Sequence, residues 1–241
     1  MRPVLLSILL ATSALAGVRW GHAAAPPAPT LVLADFERAA EARFPDGWKA
    51  RDDATASRIY RVMAENGERY LHAAAHAESA QIGLPLSFPL RDYPLLSWRW
   101  RIAELPRGAD ERSAATNDSA AGVYVVFRGS LGGLLPRAIK YVWSAREPRG
   151  ASFPSPGYAS ARIVVLESGS EGAGSWRTEI VDVPADYRRL FGSEPPDPQG
   201  IALLTDADDT GTTAAADYDD FRVLAPRAAA AGTADTALVG R

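Results

Sequence analysis

Ser97-Trp98-Arg99-Trp100-Arg101-Ile102 alternates without a break between two kinds of side chain. Successive residues of a strand point to opposite faces, so Trp98, Trp100 and Ile102 share one face while Arg99 and Arg101 share the other. Two indoles on one face carry too much apolar surface to be left in water, which makes that face core. The arginines then project from the opposite face, into water or into a groove. Gly122-Val-Tyr-Val-Val-Phe127 repeats the pattern, with Val123, Val125 and Phe127 on one side and Tyr124 beside Val126 on the other. The same parity sets Lys140 opposite Trp143 and places Glu179 opposite its strand's bulkier apolar residues. The second face is therefore expected to be mixed, charged and aromatic.

Outward from this segment, apolar residues come in short runs broken by Gly, Pro, Asp and Asn, without the 3.6-residue period of long helices. Strands are expected at 31–36, 58–64, 70–75, 80–85, 95–102, 121–128, 139–144, 162–167, 176–183, 200–205 and 215–224. Strands this short and this regularly spaced give an all-β fold, a two-sheet β-sandwich or jelly roll in one domain over 31–225. One short helix is expected over Pro184 to Phe191, with Pro at its start, Asp186 in the first turn, Arg188 and Arg189 in the last, and Gly192 after it. A second helical turn is expected at Glu37 to Arg43.

The ends read differently. Residues 1–23 combine Arg2, an apolar run from Val4 to Ala16 and small residues before Ala16 and Ala23, the pattern of a signal peptide cut after Ala23 or Ala16. A Pro/Ala-rich linker over 24–30 would follow, and 226–241 would form a disordered tail. The expected location is the periplasm or the outside of the cell, with no membrane span left after cleavage. The absence of cysteine removes thiol catalysis and cysteine-bound metals. With 29 acidic residues against 26 scattered basic ones, nothing forms the positive patch that a nucleic acid would require.

Six aspartates fall between Thr205 and Val223. Asp206, Asp208, Thr210, Gly211 and Asp217 match positions 1, 3, 5, 6 and 12 of a calcium loop, since alternate oxygen donors and a Gly at the sharp turn let a chain wrap a hard cation. Asp206, Asp208, Thr210 and Asp217 are thus the candidate ligands of a structural calcium ion, the one cofactor the sequence suggests. A plain Asx-rich turn accounts for the same residues by local hydrogen bonding. Asp35 and Glu37 could also meet Asp219 and Asp220, because the first and last strands of a jelly roll are often neighbours. Such a group would need a cation or an arginine between its members.

Paired carboxylates for glycoside hydrolysis would have to come from Glu167, Glu179 or Asp182, and parity sends the last two to opposite faces. Trp48, Tyr124, Tyr141, Trp143 and Trp176 could stack on sugar rings if they are not core.

Trp98-Arg-Trp100, Leu105-Pro-Arg-Gly-Ala-Asp110, Asn117-Asp118, Val123-Tyr-Val-Val-Phe127, Tyr141-Val-Trp-Ser144, Asp186-Tyr-Arg-Arg-Leu-Phe-Gly192 and Thr205-Asp-Ala-Asp-Asp-Thr-Gly211 form an ordered series. Together they resemble the DUF3047 family of exported bacterial proteins of unknown function, over about Phe36 to Val223. The resemblance implies a jelly-roll sandwich similar to the galactose-binding type.

The function expected from these readings is non-catalytic: an exported protein that binds carbohydrate, a cell-envelope glycan or another small polar ligand. Its ligand-binding residues would be Arg99, Arg101, Tyr124, Lys140, Trp143 and Glu179. The alternatives are a polysaccharide hydrolase or lyase using Glu179 and Asp182, and an envelope protein-interaction module.

Overall fold

A computed structural model describes residues 29–130 and 135–226. The signal peptide expected over 1–23 lies outside the described residues, as does the expected tail from 227 onward. Two sheets stack face to face. The first runs β11 (Arg177–Asp182), β6 (Leu95–Glu104), β13 (Thr213–Leu224), β4 (Glu68–His76), β3 (Tyr60–Glu65), and β1 (Thr30–Ala34) also pairs with β13. The second runs β2 (Lys49–Ala50), β5 (Ser79–Pro85), β12 (Pro198–Asp206), β7 (Ala121–Ser130), β8 (Leu135–Ser144), β10 (Ala161–Ser168), β9 (Ser152–Pro154). The fold is the expected β-sandwich, and β1 and β13, first and last in the chain, are neighbours.

The core follows from the opening alternation. Trp98, Trp100 and Ile102 are buried, as are Val123, Val125 and Phe127 from the facing sheet. Aromatic pairs bridge the two layers: Trp98 meets Tyr141 at 5.7 Å between ring centroids, and Trp100 meets Trp143 at 6.0 Å. Burying each indole contributes about 4–6 kcal/mol by area, so this seam anchors the sandwich.

The helix α2 (Val183–Phe191) has the expected signals at both ends. Asp182 caps it by accepting from the Ala185 N–H at 2.8 Å, and Gly192 closes it at φ 68° in the left-handed region. Its buried face includes Tyr187, which meets Phe127 edge to face at 4.7 Å between ring centroids.

Several elements differ from expectation. The strand expected from Arg58 begins two residues later, because a helix α1 (Asp53–Ile59) capped by Asp52 occupies the preceding segment. The short edge strands β2 and β9 carry too few residues to show alternation. Glu37 to Arg43 forms turns instead of a helix.

Candidate functional site

The arginines of β6 point away from the core, onto the outer face of the first sheet. Their neighbours are fixed by register: Asp217 of β13 stands beside Arg101, Asp219 beside Arg99, and Thr178 of β11 on the other side of Arg99. Between Asp219 and Arg222 the register slips, with Asp220 at φ 56°. This bulge brings two consecutive carboxylates to one guanidinium. The β3–β4 hairpin turns on Asn66 and Gly67, both at positive φ, the turn that Asn-Gly favours, and sets Glu65 opposite Glu68.

These pieces enclose an open cleft of about 330 Å³ lined by Glu65, Asn66, Glu68, Tyr70, Arg99, Arg101 and Trp176. Its size lies at the lower end of small-molecule sites, which span about 300–1,000 Å³. Trp176 and Tyr70 meet edge to face at 5.6 Å. The guanidinium carbons of Arg99 and Arg101 lie 4.8 and 4.7 Å from the Trp176 centroid, and that of Arg101 lies 5.1 Å from the Tyr70 centroid. A planar cation over an aromatic face loses little hydration and gains the ring quadrupole, which holds both rings and both arginines in place.

Each guanidinium is also tied by carboxylates. Arg99 Nη2 donates to Asp219 Oδ2 at 2.6 Å and to Glu68 Oε2 at 2.8 Å, and Asp220 Oδ2 lies 3.4 Å from its Nε. Arg101 Nε donates to Asp217 Oδ2 at 2.6 Å, and Nη1 lies 2.9 Å from Glu65 Oε2. His72 Nδ1 is 2.7 Å from the other oxygen of Asp217. Burial pushes the Asp219 carboxyl up to about 6 despite its hydrogen bonds from Arg99. A larger concavity of about 500 Å³, lined by Ala40, Ala42, Arg43, Phe44, Asp46 and Ser57, has one arginine, one aspartate and a single aromatic ring in its wall. The β6 cleft is chemically the richer of the two.

A family model described as "Protein of unknown function (DUF3047)" matches residues 46–222, a span that holds every wall of this cleft. The chain belongs to the DUF3047 family. None of the curated proteins matches it. Among solved structures, this DUF3047 chain is similar to a family 11 carbohydrate-binding module of the cellulosomal cellulase Lic26A-Cel5E of Clostridium thermocellum, at 11% identity and TM-score 0.38 over 83% of this chain and 97% of that one. It is also similar to the Emp47p carbohydrate recognition domain, at 11% identity and TM-score 0.41 over 82% and 95%. A third is the xyloglucanase domain of NopAA, a type three effector from Sinorhizobium fredii, at 9% identity and TM-score 0.38 over 83% and 97%.

In this DUF3047 member the six residues expected to bind ligand fall into three places. Arg99 and Arg101 line the cleft. Tyr124 and Lys140 pair across β7 and β8 in the other sheet, on its far side. Trp143 is core, and its Nε1 donates to the Gly169 carbonyl at 2.9 Å. Glu179 also turns inward: it stands opposite Ile180 as parity requires, but on the core face and not the ligand face, its carboxylate accepting from Trp100 Nε1 at 3.1 Å while Ile180 takes the outer face. Burial raises the Glu179 carboxyl above the usual range; the Trp100 hydrogen bond opposes this, and repulsion from Glu167 adds to it. Of the carboxylates considered for hydrolysis, Glu179 is thus brought near Glu167, and Asp182 is engaged as the cap of α2.

Of the expected aromatics, Trp48 and Tyr141 are core, and Trp176 is the one in the cleft. Tyr70, Glu65 and Glu68 lie outside the expected set, although the Asn66-Gly67 hairpin signal places them side by side. Of the carboxylates expected to meet from the two chain ends, Asp219 and Asp220 share Arg99. Glu37 instead accepts the Arg69 N–H at 3.2 Å, and Asp35 accepts the Glu37 N–H locally.

The four expected calcium ligands are not brought together, because Asp217 is held by Arg101 and His72. Asp118 joins Asp206 and Asp208 instead, with one carboxylate oxygen of each within 4.8 Å of the others. Asp118 also accepts from the Asp209 and Thr210 N–H groups and from the Thr210 hydroxyl, which stitches the loop shut. Burial pushes the Asp206 carboxyl up to about 7, partly offset by the Lys140 charge and the Ser119 N–H. Lys140 is itself buried, and its Nζ donates to Ser119 Oγ at 2.9 Å. A cation held by the three aspartates would share its surroundings with that ammonium.

Proposed function

We propose that this protein is an exported, non-catalytic binding protein for carbohydrate, most directly a cell-envelope glycan, and that the cleft around Arg99, Arg101, Tyr70 and Trp176 is where the sugar sits. The single observation that carries the proposal is the joint lining of the cleft by two aromatic rings and four charged side chains held on rigid strands and a hairpin. Ring faces cover the apolar C–H side of a pyranose, while carboxylate and guanidinium groups exchange hydrogen bonds with its hydroxyls. The charged groups are already positioned by one another, so little order remains to be imposed when a sugar binds. Export rests on the apolar N-terminal run of the sequence with its small residues near Ala16 and Ala23.

Affinity gel electrophoresis against a panel of soluble polysaccharides tests the binding. Retardation on at least one glycan, lost in Trp176→Ala, is the expected result; unretarded wild-type protein on every gel overturns it. Expression in a bacterial host with N-terminal sequencing of the periplasmic product tests export, with a mature start after Ala23 or Ala16 expected and an intact N-terminus in the cytoplasm opposing it.

A further inference from the structure

The charges most exposed to a ligand in this cleft are the glutamates, more than the arginines. The Arg99 and Arg101 side chains are 22% and 16% exposed, whereas Glu68 and Glu65 at the hairpin are 64% and 46% exposed. Both guanidiniums are also committed, to the Trp176 and Tyr70 rings on one side and to carboxylates on the other. Glu65, Glu68, Asp217, Asp219 and Asp220 all lie within salt-bridge distance of these two arginines, and even with Arg222 on Asp220 there are five carboxylates to three guanidiniums. A carboxylate, sulfate or phosphate on the ligand would have to displace these partners and then face the surplus negative charge at close range.

We infer that the cleft selects a glycan bearing free, protonated amino groups over its acetylated or acidic counterparts. This inference rests on the glycan reading of the same cleft. The exposed carboxylates of Glu65 and Glu68 accept from the sugar ammonium, as charge-assisted hydrogen bonds replace part of their pairing to Arg101 and Arg99. The surface of the Tyr70 and Trp176 rings left free by the two guanidiniums takes the apolar side of the pyranose. Asp217 and Asp219 keep both guanidiniums in place when the glutamates turn to the ligand, because Nε of each arginine is already bonded to one of them.

Isothermal titration of the full chain at low ionic strength with glucosamine oligomers, N-acetylglucosamine oligomers of equal length and oligogalacturonate tests this directly. The amine-bearing oligomer should bind about two- to fivefold tighter than the acetylated one, the scale of one partly exposed charge pair, and oligogalacturonate weakest. The ratio should fall toward unity in the double variant Glu65→Gln and Glu68→Gln, and in wild type as salt is raised. Equal affinity for the amine and acetyl forms, tighter binding of oligogalacturonate, or a ratio unmoved in the double variant overturns the inference and leaves the glycan site standing. Absence of binding to all three, together with an unretarded protein on the polysaccharide gels, overturns the glycan reading and this inference with it.

Discussion

The Arg101 guanidinium carbon lies 4.7 Å from the centroid of the Trp176 ring, so the indole next to β11 is pinned by a residue whose own strand forms the core seam. Trp176 is half-buried and outside the seam of Trp98, Trp100, Tyr141 and Trp143, and its removal leaves no core cavity. Trp176→Ala is expected to weaken glycan binding by about tenfold or more, as loss of a central aromatic contact does. Its effect on stability should stay near 1 kcal/mol, the scale of a cation–π contact at a partly exposed site. Titration followed by thermal melting separates the two; a large fall in melting temperature with affinity retained would contradict the assignment.

Asp219 is 1% exposed at its side chain and depends on Arg99, which donates to it from both Nε and Nη2. Removing the guanidinium strands a buried carboxylate. Arg99→Met is expected to cost about 1–3 kcal/mol at neutral pH. The cost should shrink as pH falls toward about 6, because without the lowering effect of Arg99 the Asp219 carboxyl takes up its proton at a higher pH than in the wild type and then needs no partner. The double variant with Asp219→Asn should recover most of the loss. Denaturant melts of the three variants at two pH values provide the measurement.

The two faces of the β6 strand were legible in the sequence because alternation is local: once Trp98 and Trp100 are core, Arg99 and Arg101 are outside. Sheet membership is not local. Tyr124 and Lys140 share the parity of the arginines within their own strands, yet β7 and β8 belong to the opposite layer, so the four cannot meet. Glu179 departs from expectation for another reason. On the edge strand β11, Ile180 is left 58% exposed while the carboxylate tucks under the sandwich to reach Trp100, a tertiary hydrogen bond that outweighs the apolar pattern. Asp217 fitted a calcium spacing, but spacing does not record that β13 continues straight through it, with His72 and Arg101 waiting in the flanking strands.

Asp206 sets a pH dependence whose sign is fixed by its burial. Its folded carboxyl titrates at about 7, above its ordinary 3.8, so between these values the folded state holds a proton that the unfolded chain has released. Its contribution is therefore fully present below about pH 4 and is lost as pH rises through about 7. Asp219 acts in the same direction at about 6. Wild-type protein is expected to gain stability, on the order of a few kcal/mol at most, as pH is lowered from about 8 to 5. Asp206→Asn, whose amide oxygen can still accept from the Ser119 N–H, should flatten that gain. An unchanged slope of unfolding free energy against pH in the variant would contradict the burial cause.

Gly122 lacks a side chain where Lys140 crosses the sheet. A Cβ there would lie 2.9 Å from Lys140 Cε and 3.3 Å from the Leu204 carbonyl oxygen. Lys140 has little freedom to retreat: its Nζ is bonded to Ser119, lies 5.6 Å from the Tyr124 centroid, and is buried. Burial works against the ammonium, but Tyr124, Asp206 and Glu111 around it keep the charge favoured. Gly122→Ala is therefore expected to cost about 1–3 kcal/mol by overpacking. Lys140→Ala alone should cost a comparable amount, since it leaves Ser119 and Asp206 buried without their cation. In the double variant the added methyl finds room beside the shortened side chain, so its penalty falls below the sum of the two single changes by about 1 kcal/mol or more. Strict additivity in that cycle would mean that the Leu204 carbonyl, not Lys140, is what the glycine makes room for.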